Sequence, residues 1–157
     1  MMHSEHFFVT KSTLKRLRDN KTTAVGTTTV RTLESLYWLG ISFSEGRWPS
    51  GEIPSVSQWE PYKRECDIDP SVAIDNLLAA LDESGRERLE ARTEIIIVPG
   101  YRFRMVSSML TNFHQPHSTL LLLVAAFTGH SWKDIYNHAL AGGYRFLSYG
   151  DSMLLAP

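Results

Sequence analysis

Residues 120–127 form a run of eight apolar positions with no polar break. Such a run asks for burial on every side, and its leucine and alanine content favours a core helix over a strand. Gly129 breaks it. Upstream, residues 6–9 read as a short strand, 11–20 as a basic, partly amphipathic helix, and 22–25 as a second short strand closed by Gly26. Val30, Leu33, Leu36 and Tyr37 then recur at helical spacing. Residues 72–81 are an amphipathic helix with apolar side chains at 73, 74, 77, 78 and 81, ended by Ser84-Gly85. Residues 93–98, rich in β-branched side chains, read as a fully buried strand stopped by Pro99-Gly100, and residues 101–106 alternate like another strand. Ser131-Trp-Lys-Asp134 resembles a capping box opening a helix to about Leu140, closed by Gly142-Gly143, and residues 145–149 read as the last strand. Strands alternating with helices predict one α/β domain over residues 1–157, with a largely parallel sheet flanked by helices.

The pattern changes over residues 40–70, where Pro49, Gly51, Pro54, Pro61 and Pro70 alternate with Trp48, Trp59 and Tyr62. Prolines at this density forbid a long helix, and the aromatics argue against disorder. A Pro/Trp-rich insertion packed on the body through its tryptophans is expected. Its aromatics near Arg47, Lys63 and Arg64 could either stack on nucleobases or anchor the loop. A balance of 16 basic against 17 acidic residues excludes the strongly basic surface that holds nucleic acid by charge alone. Lys11, Lys15, Arg16, Arg18 and Lys21 make a local cluster that fits a solvated helix face better than a nucleic-acid patch. The single cysteine, Cys66, rules out an internal disulfide and a cysteine-based zinc site. No signal peptide leads the chain, and the apolar run is too short to span a bilayer, so a cytoplasmic protein without a membrane segment is expected.

Candidate chemistry gathers where predicted strands end and helices begin, the usual place for ligands in such folds. Three segments fall there: residues 26–29, 112–119 and 149–151. Thr27 and Thr28 open a helix whose first turn carries free N–H groups, so they suit either a cap or an anion or ligand contact. Arg31 and Glu34 lie three apart on that helix, placed to pair with each other or to face a crevice. Asn112 offers a donor and an acceptor, and His114 can move a proton near neutral pH. Pro116 pre-sets a helix start, with Ser118 and Thr119 as its cap and first-turn hydroxyls. Asp151, after Tyr149-Gly150, is a carboxylate expected at a strand end, able to bind a ribose hydroxyl or a cationic centre, or simply to form a turn. His114 and His117 lack acidic or cysteine neighbours, so no metal site is expected. No dinucleotide fingerprint, phosphate loop or nucleophile elbow is present. Read from its residues alone, the chain is an α/β ligand-binding or transferase-like domain.

Five segments in order resemble one family: Met2-His-Ser-Glu5, Gly26-Thr-Thr-Thr-Val-Arg-Thr-Leu-Glu34, Pro99-Gly-Tyr-Arg-Phe103, Thr111-Asn-Phe-His-Gln-Pro-His-Ser-Thr-Leu-Leu121 and Tyr144-Arg-Phe-Leu-Ser-Tyr-Gly-Asp151. The family is the S-adenosylmethionine:tRNA ribosyltransferase-isomerases of queuosine biosynthesis. The stretch Gln58-Trp-Glu-Pro-Tyr62 resembles a longer form found in one bacterial lineage. The resemblance implies an enzyme that consumes S-adenosylmethionine as a cosubstrate. It would move and isomerise the ribosyl moiety onto the 7-aminomethyl-7-deazaguanine base at the tRNA wobble position. Epoxyqueuosine forms, and adenine and methionine leave. On that reading His114 is the candidate for proton transfer and Asp151 for binding the ribose or sulfonium. Thr27, Thr28, Arg31, Glu34, Asn112, Ser118, Thr119 and Tyr149 are the candidates for binding cosubstrate or tRNA.

Two departures from the family pattern stand out. His117 takes a place where a lysine is common, which weakens anion binding, and Ser107-Ser108 replaces a common Asp-Gly, which removes a carboxylate. The resemblance also implies that this chain corresponds to the C-terminal portion of a longer enzyme. The competing expectation is a non-catalytic fragment or binding module for S-adenosylmethionine or tRNA. A sheet cut short would expose an apolar patch or an open edge, leading to self-association or to pairing with a missing N-terminal half.

Overall fold

A computed structural model of the chain describes residues 3–49, 51–63 and 65–156. Met2 of the first motif and Arg64 therefore lie outside the described residues. Strand β1 (Glu5–Thr10) alternates, with Glu5, Phe7 and Val9 turned inward. The Thr10 hydroxyl accepts from the Thr13 N–H and starts helix α1 (Lys11–Arg18), which buries Leu14. Strand β2 (Thr23–Val25) buries only Ala24.

Helix α2 (Thr27–Ser44) is the centre of the core, with every residue from Val30 to Ile41 buried except Thr32. A helix apolar nearly all round needs neighbours on every side, and α2 is wrapped by both sheets and by α3. Its N-cap is Gly26 rather than a threonine, because the chain turns there at φ 86°, a conformation costly for β-branched residues. Its length also corrects the expected boundary of the Pro/Trp segment: Gly40 lies inside the helix, and the irregular stretch begins after Ser44.

Within that stretch, β3 (Ser55–Val56) and a 3-10 turn (Glu60–Tyr62) are the regular pieces. Helix α3 (Pro70–Glu83) follows, capped by Asp69, with Pro70 at its first position. Then come β4 (Arg88–Thr93), β5 (Ser108–Asn112), α4 (Thr119–Thr128), α5 (Trp132–Ala141) and β6 (Ser152–Leu155).

The strands form two three-stranded sheets, ordered β1-β4-β3 and β2-β5-β6. Each sheet has one antiparallel and one parallel pairing, so the largely parallel sheet expected from the sequence is not found. Direction is set by where connections lead: the chain after β5 runs through α4 and α5 and re-enters the sheet beside Asn112, so β6 pairs antiparallel with β5. Of residues 93–98, Thr93 and Ile95 to Ile97 are buried while Glu94 and Val98 are half-buried, and the strand ends at Thr93. Beyond it the Glu94 and Ile96 N–H groups bond to the carbonyls of Val56 and Gln58. Residues 101–106 form no strand, because their N–H groups have another acceptor, described below. The last strand is not 145–149 but Ser152–Leu155, so Asp151 precedes a strand rather than ending one.

Helix α4 is also not buried on every side: Leu123, Val124 and Ala125 are enclosed while Leu122 is 40% exposed. Ser131 makes no capping bond, since it lies in a helical turn where its hydroxyl cannot reach back. On the outer face of the second sheet, register aligns Val25, Leu110 and Leu154 in one apolar row, with Val25 and Leu154 exposed. Among the described residues no helix is long and apolar enough to cross a membrane.

Helices α2 and α3 touch backbone to backbone at Gly40, where an added Cβ would lie 2.1 Å from the Ala73 carbonyl oxygen. Alanine is the better helix former by about 1 kcal/mol, yet Gly40→Ala should destabilise the protein by about 1–3 kcal/mol by forcing the helices apart. Urea unfolding at fixed slope measures this, and a stabilised Gly40→Ala would show that the contact is loose.

Candidate functional site

Three sequence-distant polar segments meet at one end of the second sheet. Strand β2 ends at Val25, and the N–H of Gly26 bonds to the Leu110 carbonyl at 2.8 Å. Strand β5 ends two residues later at Asn112, opposite Ser152 at the start of β6. The Asn112 Nδ2 donates to the carbonyls of Gly150 and Asp151, both at 3.2 Å. Residues 26–28, 112–114 and 150–152 are thus fastened together through backbone and amide hydrogen bonds. With Nδ2 committed to the chain, Oδ1 is the Asn112 atom left to meet an incoming donor.

Asp151 closes the loop that precedes β6. Its carboxylate accepts from the Arg145 N–H at 2.7 Å and from the Arg145 guanidinium at 3.0 Å. These bonds hold the Asp151 carboxyl below the usual range. Gly150 is required there, since a Cβ would fall 2.3 Å from the Arg145 carbonyl oxygen. Tyr149 projects into solvent, 98% exposed.

His114 is half-buried beyond the end of β5. Its N–H donates to the Tyr136 hydroxyl at 3.0 Å, and its Nε2 lies 3.0 Å from the Thr111 hydroxyl. Burial pushes the imidazole below its ordinary value, which favours the neutral ring near pH 7. His117 takes a left-handed conformation at φ 61°. Ser118 caps α4, its hydroxyl accepting from the Leu121 N–H at 3.2 Å, and Thr119 is the first helical residue.

The charged pair one turn into α2 behaves differently from either expectation, for Arg31 and Glu34 do not pair with each other. Glu34 is fully buried. Its oxygens accept from the Tyr101 hydroxyl at 2.8 Å and from the N–H groups of Arg104, Met105 and Val106 at 3.0 Å each. These bonds occupy the N–H groups that a strand over 101–106 would have used. Arg31 meets Glu5 of β1 and donates to the Ile95 carbonyl at 2.9 Å. Thr27 is half-buried and Thr28 exposed, the latter's hydroxyl 3.5 Å from Glu5 Oε1.

Elsewhere a cleft of roughly 610 Å³ opens between the Pro/Trp segment and residues 100–104, lined by Trp38, Tyr62, Asp67, Arg102 and Arg104. Of the aromatics near it, Tyr62 is tied to the backbone while Trp59 is 51% exposed. The Tyr62 hydroxyl donates to the Ile96 carbonyl and accepts from the Val98 N–H. Arg47 and Lys63 are engaged by Glu60. In the basic cluster of α1, Lys11 pairs with Asp82 and Glu87, and Arg18 with Asp75.

Sequence reasoning gave no site role to Glu5, Thr111, Tyr136 or Arg145. Glu5, Thr111 and Arg145 lie inside the quoted motifs, and Glu5 is also a carboxylate in phase with Phe7 and Val9 on the inward face of a strand. Tyr136 is recognisable only by its partner.

The fold is mixed α/β, and the polar segments singled out from the sequence lie together at one end of its second sheet. The chain matches the family model described as queuosine biosynthesis protein over residues 1–155, and it belongs to that family. The S-adenosylmethionine:tRNA ribosyltransferase-isomerase of Thermotoga petrophila is 35% identical over 160 residues, covering 98% of this chain and 35% of its own length. The protein of that name from Xanthobacter autotrophicus is 58% identical over 81 residues, covering 50% of this chain and 22% of its own length. The solved structure of the S-adenosylmethionine tRNA ribosyltransferase of Thermotoga maritima aligns with a TM-score of 0.59 at 32% identity. That alignment covers 95% of this chain and 39% of the other. The chain therefore spans between 22% and 35% of the length of these curated relatives.

The lowered His114 value has a testable sign. Between its folded value and about 6.5, the unfolded value, the unfolded chain binds a proton that the folded chain does not. His114 therefore costs stability as pH falls through that window and costs none above it. Urea unfolding from pH 7.5 to 5 should show the wild type losing stability relative to His114→Gln. Parallel pH profiles would mean that the imidazole is not held neutral.

Proposed function

We propose that this chain carries the S-adenosylmethionine site of a tRNA ribosyltransferase-isomerase. The supporting observation is the meeting of residues 26–28, 112–114 and 150–152 at one end of the β2-β5-β6 sheet. Chance would not bring the polar motifs of one family to a common strand end, where ligands bind in folds of this class. S-adenosylmethionine is consumed as a substrate. Its ribosyl portion passes to the aminomethyl group of the 7-deazaguanine base at the wobble position of a cytoplasmic tRNA. Epoxyqueuosine is the product, and adenine and methionine leave.

In this reading His114 removes the proton next to the sulfonium. Its ring is neutral at working pH because burial disfavours the cation, and Thr111 and Tyr136 fix its position. Asp151 stays ionised beside Arg145 and meets the ribose or the positive sulfur. Asn112 supports both, because its amide ties the strand holding His114 to the loop holding Asp151. Thr27 and Thr28 present hydroxyls at the first turn of α2, and Ser118 and Thr119 do so at the first turn of α4. Arg31 and Glu34 act behind this surface by holding the helix in place. Tyr149, fully extended into solvent, is offered to the tRNA, where an aromatic ring can stack on a base.

Calorimetric titration of S-adenosylmethionine tests the reading. Asp151→Asn should weaken binding about tenfold or more, the scale of one lost charged hydrogen bond, and His114→Ala, which removes a neutral ring, should weaken it by less. Asparagine keeps an acceptor for the Arg145 N–H, so loop collapse is not the cause. A folded wild type that gives no heat would overturn the assignment of the site to this chain.

A further inference from the structure

Arg145 meets Asp151 through both its backbone and its side chain. The Arg145 N–H donates to the Asp151 carboxylate at 2.7 Å, and the Asp151 N–H returns to the Arg145 carbonyl at 2.8 Å. These two bonds close the loop without help from the guanidinium. The side chain nevertheless reaches the same carboxylate, with Nη2 3.0 Å from Oδ1 and Nε 3.5 Å from Oδ2. It is 74% exposed, and an ion pair so open to water adds little to stability. Its Nη1 has no partner among the described residues. Asp151 therefore occupies the edge formed by Nε and Nη2, while the edge formed by Nη1 and Nη2 faces solvent.

The direction of this free edge follows from its neighbours. Tyr144 and Phe146 lay their rings on Phe113, so Arg145 between them turns outward. The Asn112 amide ties the same loop to β5 through the Gly150 and Asp151 carbonyls. An accessible guanidinium thus stands beside the carboxylate assigned to the ribose or the positive sulfur. S-adenosylmethionine carries that sulfur and, at the end of a short carbon arm, an α-carboxylate. A negative group beside a positive one complements such an arm, and the open fork of an arginine fits a carboxylate by two parallel hydrogen bonds. A phosphate of RNA would meet the same guanidinium, but it would stand against the Asp151 charge and offer that charge no cation.

We propose that the open edge of the Arg145 guanidinium binds the α-carboxylate of S-adenosylmethionine, making Arg145 a further binding residue that selects the amino-acid end of the substrate. The inference rests on the S-adenosylmethionine reading above and assigns one contact within it.

The probes are S-adenosylmethionine and its decarboxylated form, which keeps the sulfonium, ribose and adenine. Each is titrated into the isotope-labelled 157-residue chain and followed by amide chemical shifts, which register weak binding. Wild type should bind S-adenosylmethionine about tenfold more tightly than the decarboxylated form, and Arg145→Gln should bind the two within about twofold of each other. Taking the ratio within each protein cancels any change transmitted through Asp151, because both probes carry the sulfonium and ribose. Wild type that binds both equally overturns the proposal and leaves the guanidinium to the RNA or to Asp151 alone, while the site itself stands. The same preference in Arg145→Gln also overturns it. Wild type that shifts with neither probe overturns the site reading and this contact with it. If Arg145→Gln fails to fold, Arg145→Lys, which keeps the charge and loses the fork, replaces it: a ratio below that of wild type supports the contact, and an unchanged ratio overturns it.

Discussion

Three consecutive backbone N–H groups, those of Arg104, Met105 and Val106, point at one buried carboxylate, and much of the fold follows from that arrangement. Residues 94–107 must cross from the first sheet to the second without strand partners for most of their length. Backbone groups buried in such a crossing need acceptors, and a carboxylate with two oxygens can serve several donors at once. Burial raises the Glu34 carboxyl, while the three N–H groups and the Tyr101 phenol pull it back. Tyr101 keeps its proton because burial and the neighbouring Glu34 charge both push its phenol well above the ordinary value. Trp38 then donates to the Tyr101 oxygen at 3.1 Å. The sequence Trp38 to Tyr101 to Glu34 is a directed chain of donors inside an otherwise apolar core, where each bond is strengthened by low dielectric.

Arg31 performs the matching task one turn earlier. Two opposite charges three residues apart on a surface helix would pair with each other. Here each is drawn to a different neighbour, because a buried charge needs several partners and neither alone could satisfy the other. Arg31 reaches β1 through Glu5 and the chain after β4 through Ile95, while Glu34 reaches the crossing toward β5. The helix is therefore fastened to the first sheet and to the crossing that leads to the second from a single turn. That turn lies directly behind Gly26 to Thr28, so the same bonds that satisfy the core also set where the first turn of α2 stands relative to β5.

What could be read from the sequence divides along the same line. Periodicity located the helices, and Ser118 was legible as a cap because capping is decided within four residues. Residues 26–29 were legible because strand, turn and helix follow one another locally there, whereas β5 before residues 112–119 was not foreseen and Asp151 was assigned to the end of a strand that does not form. Residues 101–106 were not legible, since their alternation mimics a strand and their true acceptor is Glu34, about 70 positions away in the chain. Residues 145–149 misled for a related reason. Tyr144 and Phe146 pack their rings on Phe113, with centroids 5.6 and 5.4 Å away, which satisfies the aromatics without a ladder. Strand direction in the second sheet likewise depends on where β6 returns, which no local pattern records.

Backbone strain gathers at the end of the second sheet. Among the described residues, only His117 and Leu147 are non-glycine residues with positive φ, at 61° and 70°. One follows β5 and the other lies in the loop before β6, where the Leu147 N–H bonds to the Phe113 carbonyl at 2.9 Å. Gly26 and Gly150 complete the picture, one by its φ of 86° and the other by its close approach to Arg145. A left-handed leucine costs about 1 kcal/mol or more and persists only where the surroundings over-determine it. Strain placed at random would be scattered over surface turns, yet here it falls on the loops that carry His114 and Asp151. Those loops hold their conformation through specific bonds, the Leu147 N–H to the Phe113 carbonyl and the Asp151 carboxylate to the Arg145 N–H, which is how surroundings over-determine a strained backbone.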